Sequence, residues 1–231
     1  MYSLEPIGLI ESPYREKFSV PRQPGLVTHA SAKVKLVGPA NCLESVRDIE
    51  QFSHLWLLFL FDKNLEAGWK PTVRPPRLGG NQRIGVFASR ATFRPNGIGM
   101  SAVELIGVSQ HDGHVYLEIA GVDLVDGTPI IDIKPYVPYS DSIPGAKAGY
   151  AQTKPDELAV IYLEHVQQQF AQRPDGAHEA QVISQVLAQD PRPAYKEKKL
   201  DDKEYAVYLF DLNVKFRVSD DIVTVTAIED F

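Results

Sequence analysis

The feature that most constrains this chain is a succession of short apolar or alternating runs over its first 140 residues. They fall at 7–10, 32–37, 54–61, 84–88, 102–108, 114–120 and 130–133. Turn residues separate them: Pro13, Pro24-Gly25, Gly38-Pro39, Asp112-Gly113 and Asp126-Gly127. A period of two puts alternate side chains on opposite faces, so each run reads as a strand with one buried face. The segment Gln110–His114 lies between two such runs and predicts a hairpin, because Asp-Gly accepts the positive φ of a tight turn. One helix interrupts the pattern. Asn41 is placed as an N-cap, with Glu44 three residues on, ahead of a helical segment at 43–52. Seven short strands with a single helix among them predict a closed or nearly closed antiparallel barrel rather than a series of βαβ units.

From residue 155 the pattern changes. Leu158, Ile161, Tyr162, Val166 and Phe170 recur at near-helical spacing, which predicts a helix opened by Pro155 and broken at Pro174-Asp175-Gly176. Val182, Ile183, Val186 and Leu187 mark a second helix that stops before Asp190-Pro191. Alternation at 205–210, 214–218 and 222–227 predicts three strands. The expected fold class is therefore mainly β. It has an N-terminal antiparallel barrel-like domain over 1–140, a linker or functional loop over 141–154, and a small C-terminal α+β domain over 155–231.

With 44% hydrophobic and 23% charged residues, the 231-residue chain has enough apolar material for a core, which excludes disorder as its ground state. Its one cysteine, Cys42, can form neither an intrachain disulfide nor a cysteine-based zinc site, and a reducing, cytoplasmic compartment is expected. The N-terminus lacks the basic and apolar regions of a signal peptide. The longest apolar run, Leu55–Phe61, is far short of the ~20 residues that span a bilayer, so no membrane partner is expected. The net charge of −6 lies wholly in the last third: residues 151–231 hold nine basic and 15 acidic side chains, whereas residues 1–150 hold 15 of each. Within the neutral part, Lys63, Lys70, Arg74, Arg77, Arg83, Arg90 and Arg94 face only Glu66 over residues 63–94. Such a stretch can bind an anion or form a solvated charged surface.

Several motifs carry chemistry. Gly97-Ile98-Gly99-Met100-Ser101-Ala102 fits the dinucleotide fingerprint by letter, but the strand required before it is replaced by Arg94-Pro95-Asn96. The residues after it lead into β-like sequence where a helix is required, so a non-Rossmann fold is expected. Two histidines, His111 and His114, straddle the predicted hairpin tip without a third ligand at metal spacing. The more informative run is GVFASRATFRPNGIG at 85–99. There Arg90 and Arg94 offer forked guanidinium groups suited to carboxylate or phosphate beside a rigid turn. In VDLVDGTPIIDIKPY at 122–136, a strand over 130–134 would put Asp132 and Lys134 on one face and Ile131 and Ile133 on the other. Barrel turns with surface charge explain both segments equally well at this level. Gln23-Pro24-Gly25 in an N-terminal loop, and Arg192 between two prolines in LAQDPRPAY at 187–195, complete the set.

Taken together these segments resemble the TrmO-type S-adenosylmethionine-dependent tRNA methyltransferases. The similarity rests on GVFASRATFRPN, SPYREKF at 12–18, PRQPG at 21–25, FSHLWLLFLF at 52–61, VRPPRLGG at 73–80, DLVDGTPIIDIKPY at 123–136 and LAQDPRPAY. One departure is Gly97, where the family usually has proline after Arg-Pro-Asn. The resemblance implies a barrel that binds S-adenosylmethionine without a Rossmann fold, a small second domain, and a homodimer. The implied reaction transfers a methyl group to N6 of threonylcarbamoyladenosine beside the anticodon of threonine tRNA. It places the cofactor against Gln23, Pro24, Gly25, Asp62, Lys63, Arg90, Met100, Gly121, Val122 and Asp123. On the same basis Asp132, Lys134 and Tyr136 are expected at the acceptor as base or orienting groups. Arg94 and Asn96 are expected on the threonyl carboxylate or a phosphate, and Arg74, Arg77 and Arg192 on the tRNA backbone. The competing class is a barrel that binds RNA without catalysis.

Overall fold

The computed structural model describes residues 3–192 and 203–231. Pro193, Ala194 and Tyr195, the end of the LAQDPRPAY run, lie outside the described residues. Among the described residues, twelve strands and three helices follow in chain order. The strands are β1 (Gly8–Glu11), β2 (Ser31–Leu36), β3 (His54–Leu60), β4 (Thr72–Val73), β5 (Ile84–Gly85), β6 (Ile98–His111), β7 (His114–Ala120), β8 (Pro129–Pro135), β9 (Ala159–Tyr162), β10 (Tyr205–Leu209), β11 (Leu212–Ser219) and β12 (Ile222–Asp230). The helices are α1 (Pro138–Asp141), α2 (Glu164–Ala171) and α3 (Gly176–Ala188).

Six strands close an antiparallel barrel in the order β1-β2-β7-β6-β3-β8. Closure depends on β6, which pairs with β3 through 98–104 and with β7 through 104–111. A bulge between Leu105 and Gly107 bends it at the changeover and leaves Ile106 exposed. The β6–β7 turn is Asp112-Gly113, both at positive φ (52° and 75°), as the two-residue loop requires. Alternation fills the interior: Ile10, Val34, Leu55, Leu57, Val103, Leu117, Ile119 and Ile130 are fully buried. Each such side chain contributes roughly 1.5–3 kcal/mol by leaving water.

The second layer is a four-stranded sheet, β10-β11-β12-β9, with β9 parallel to β12. Val182, Ile183, Val186 and Leu187 of α3 and Val166 and Phe170 of α2 pack with Val207, Leu209, Phe216 and Val225 in a core continuous with that of the barrel. The seam is the segment after β1. Tyr14 bridges Leu209, Phe210 N donates to Pro13 O (2.8 Å), and Arg15 binds both Asp126 Oδ2 (2.6 Å) and Phe210 O (2.8 Å).

Five local expectations are corrected. The segment at 43–52 forms two short 3₁₀ turns and not a helix, broken where Asp48 is left-handed (φ 64°). Asn41 is not its cap: its amide donates to Gly113 O (2.9 Å) and accepts from Val115 N (2.8 Å), tying this segment to the β6–β7 hairpin. The run at 84–88 is a two-residue strand followed by a 3₁₀ turn. Residues 159–162 form a strand, because pairing with β12 outweighs the helical spacing and leaves Ile161 outside; the helix begins only at Glu164. In β8 a bulge opposite Leu58 and Phe59 makes Ile131 the extra residue, so Ile130 and Ile133 face the core together. No helix among the described residues is long and apolar enough to cross a membrane.

Candidate functional site

A cleft of about 930 Å³ opens where the end of β3, the start of β6, the 121–125 turn, the loop after β1 and the C-terminal end of α3 converge. Its apolar floor follows from register. Leu58 pairs with Met100 and Leu60 with Ile98, so these four outward residues lie side by side on neighbouring strands. Met100 is half exposed there. Gly99 lies between two of them because a Cβ at that position would collide with the Phe59 and Phe61 rings, themselves packed edge to face at 5.1 Å.

The run before β6 is shaped by Arg94. Its Nη1 donates to Ser89 O (2.6 Å) and Val86 O (3.2 Å), fastening the 3₁₀ turn at 86–88 and leaving Ser89 and Arg90 at the cleft wall. Asn96 and Gly97 follow at φ 64° and 61°. Proline, with φ fixed near −65°, could not occupy this turn at 97 without reshaping it. Glycine at 97 takes this left-handed conformation without a Cβ penalty.

Polar groups converge from distant segments. Asp123 accepts a 2.5 Å hydrogen bond from Ser101 Oγ. Burial pushes its carboxyl up to about 6, against the opposing pull of the Ser101 bond, its own backbone and the positive charge of Arg90. The same surroundings raise the Tyr14 phenol above its ordinary value, through burial first and then the Asp123 charge. Arg90 Nη1 donates to Gln23 Oε1 (2.7 Å), and Gln23 Nε2 donates to Arg22 O (2.5 Å). Gly25 N donates to Gly121 O (2.8 Å), and a side chain on Gly121 would come within 3.3 Å of the Gly25 Cα. The N-terminal loop thus rests directly on the 121–123 turn. Val122 is buried in the core beneath it.

Of the residues the resemblance assigned to the cofactor, Gln23, Asp62, Lys63, Arg90, Met100 and Asp123 line the cleft. Pro24, Gly25, Gly121 and Val122 do not line it; Gly25 and Gly121 join the N-terminal loop to the turn before Asp123. The acceptor trio lies beside the cleft, not in it. Asp132 is opposite Leu58 and Lys134 opposite Trp56 on the outer face of β3 and β8, and the two form an ion pair at 2.7 Å. Tyr136 packs against Trp56 (5.6 Å) and His54 (6.3 Å), and Trp56 Nε1 is held by Asp141 Oδ2 at 2.8 Å. Asn96 is exposed on its turn. Arg74 is exposed on the 63–94 excursion, whereas Arg77 donates to Thr153 O (2.6 Å). Arg192 is buried, with Nε and Nη2 on the two oxygens of Asp190 (2.7 and 2.8 Å).

Sequence reasoning missed Ser101, Arg22, Asp190 and Gln189. Ser101 was in view inside the discarded glycine fingerprint, where strand alternation alone would have turned it inward. The others join the cleft across more than 160 residues, which no local pattern reports. Gln189 Oε1, like Tyr14 Oη, is buried with no hydrogen-bond partner among the described residues. No group of three His, Cys, Asp or Glu side chains that could hold a metal occurs among the described residues.

Comparison with known proteins agrees along the whole chain. The profile of the tRNA-methyltransferase O N-terminal domain matches residues 9–142, and that of the TrmO C-terminal domain matches 155–231. The tRNA (adenine(37)-N6)-methyltransferase of Escherichia coli K12 is 52% identical over 230 residues, covering 99% of this chain and 98% of that one. A putative S-adenosylmethionine-dependent methyltransferase of Pseudomonas aeruginosa is 47% identical over 215 residues, 92% and 91% of the two chains. A crystal structure of TrmO from P. aeruginosa superposes with a TM-score of 0.81 at 39% identity, covering 100% of this chain and 98% of that one.

Proposed function

The chain belongs to the tRNA-methyltransferase O family, and from that premise we propose how and on what it acts. It is an S-adenosylmethionine-dependent tRNA methyltransferase acting on N6 of adenine 37. Family membership therefore sets aside the barrel that binds RNA without catalysis. The finer reading is that the adenosine carries threonylcarbamoyl, that the tRNA accepts threonine, and that the enzyme works in the cytoplasm as a homodimer.

The observation that carries the proposal is the convergence of Gln23, Arg90, Met100 and Asp123 on one cleft from four separate segments. The donor set suits S-adenosylmethionine. Asp123 offers a negative charge to a cationic ligand, Arg90 a fork for a carboxylate, and Leu58, Leu60 and Met100 an apolar surface for a purine. Bound S-adenosylmethionine supplies an electrophilic methyl group, its sulfur leaving as a neutral thioether. The protein's part is alignment and the handling of one proton. The acceptor nitrogen loses that proton as its bond to carbon forms. Asp132, held beside Lys134 one strand from the floor residue Leu58, would take it or orient the group, with Tyr136 at the same edge. Asn96 and Arg94 at the signature turn are assigned to the threonyl carboxylate or a phosphate, with Arg94 keeping its hold on the turn. Arg74 and Arg77 on the basic excursion are assigned to the tRNA backbone.

Incubation with labelled S-adenosylmethionine and tRNA, with and without the threonylcarbamoyl group, tests this directly. Methyl on the modified adenosine alone is the expected product. Equal labelling of unmodified tRNA would remove the threonylcarbamoyl requirement, and a monomer by sedimentation would remove the dimer.

A further inference from the structure

The cleft loop is tied to the C-terminal end of α3 by a run of hydrogen bonds that the reaction itself does not explain. We propose that Asp190 and Arg192 are positioning residues for the cofactor: together they anchor Arg22, and through it Gln23 and Arg90, in the arrangement that binds S-adenosylmethionine. This rests on the reading of the cleft as the cofactor site.

Asp190 ends α3 in the left-handed region (φ 49°), which aspartate tolerates better than most residues. Its two carboxylate oxygens each accept from the Arg192 fork, a two-point pairing that fixes both side chains. Only 5% of the Arg192 side chain is exposed. With its carboxylate so engaged, Asp190 keeps its carbonyl on Arg22 Nη2 at 3.2 Å. The Arg22 carbonyl then receives Gln23 Nε2, and Gln23 Oε1 receives Arg90 Nη1. Arg90 in turn acts on Asp123 at the floor through its charge.

Gln23 and Arg90 are both exposed, long and flexible. Unsupported, each would have to be ordered when ligand arrives, and that ordering weakens binding. The anchor removes the cost beforehand by holding the loop from a rigid helix end. It also assigns the buried Arg192 fork a partner inside the protein, in place of the tRNA backbone.

Asp190→Asn tests this, since asparagine keeps the size and tolerates the left-handed backbone while removing the charge from the Arg192 pair. Equilibrium binding of S-adenosylmethionine to the full chain is expected to weaken about tenfold, the scale on which residues supporting a binding group act. KM for S-adenosylmethionine should rise by the same factor, with kcat and tRNA affinity unchanged. Glu179→Gln is the comparison: it breaks the Arg173 pair elsewhere on α3 and should lower Tm while leaving cofactor affinity intact. Wild-type affinity in Asp190→Asn, or an equal loss in Glu179→Gln, would overturn the anchor. A wild-type protein that binds no S-adenosylmethionine would overturn the cleft reading and the anchor with it. If Asp190→Asn does not fold, Arg22→Ala breaks the same run one link later and is held to the same outcomes.

Discussion

Two carboxylates recessed in protein, one in each half of the molecule, are treated in opposite ways. Glu179 on α3 receives two hydrogen bonds from Arg173, at 2.6 and 3.1 Å, and Arg173 also reaches Asp211. Asp123 at the cleft has one hydroxyl on one oxygen and a guanidinium acting from beyond bonding range. The first is a closed set: its charge is matched, and the guanidinium is held protonated well beyond its ordinary range, chiefly by the Glu179 bond. The second is an open set, and its carboxyl is forced up to about 6 by burial that Ser101, its own backbone and Arg90 offset only in part. A charge left short of partners inside a cleft costs stability, and it is retained where a ligand completes it.

Asp123→Asn is the substitution that would break this contrast most sharply. Loss of the charge is expected to weaken S-adenosylmethionine binding by about a hundredfold, the worth of a well-placed charged partner. Stability should move the other way. A carboxyl whose value is raised on folding stabilises the protein below its unfolded value, and that contribution is lost as pH rises through about 6. Above pH 6 the wild type therefore carries a penalty that asparagine lacks, on the order of 3 kcal/mol, or roughly 6–12 °C in Tm. Thermal melts at pH 8 and pH 4 check both halves: the variant should be the more stable at pH 8, and the gain should vanish at pH 4. If it were less stable at both, Asp123 would belong with Glu179 as a structural carboxylate.

The next effect concerns turnover. Asp132 lies outside the cleft and pairs with Lys134 at 2.7 Å, so Asp132→Ala should leave cofactor binding within about twofold while lowering kcat by 10²-fold or more, the usual worth of a positioned proton acceptor. Unchanged turnover would remove Asp132 as the base. A smaller effect needs no mutation. S-adenosylmethionine binding, measured by calorimetry, should weaken as pH falls through about 6 because Asp123 becomes protonated. The uncharged thioether product should show a shallower dependence. Equal pH profiles for the two ligands would place the positive sulfur away from Asp123.

The same split between closed and open sets explains what could be seen in the sequence. Six barrel strands were legible because alternation and turn residues are local signals, and Asp112-Gly113 marked its own hairpin. The helix expected at 43–52 failed because Asp48 turns left-handed and Asn41 is spent on the neighbouring hairpin, and neither contact is encoded nearby. β9 was read as helix because its pairing partner, β12, lies some 60 residues downstream. At the site, the identities of Gln23, Arg90 and Asp123 came through a family signature, and their grouping did not. Asp123 meets Ser101 across 22 residues and Arg22 meets Asp190 across 168, distances over which only a folded barrel and sheet can bring side chains together.

The smallest effect separates two arginines that the sequence treated alike. Arg74 is exposed with no partner among the described residues, while Arg77 is committed to the Thr153 carbonyl at 2.6 Å. A side chain that neutralises one phosphate contributes about 0.9 to the slope of log affinity against log salt. Arg74→Ala should therefore flatten the slope for tRNA by about that amount, a loss of a few-fold at physiological salt that shrinks as salt is raised. Arg77→Ala should change the slope less, because part of what it removes is a tether on the 149–153 turn, and that loss does not depend on ionic strength. Filter binding across a salt series distinguishes the two. Equal slopes would mean that Arg77 leaves Thr153 for the RNA, placing it with Asp123 among the groups whose partners arrive only with the ligand.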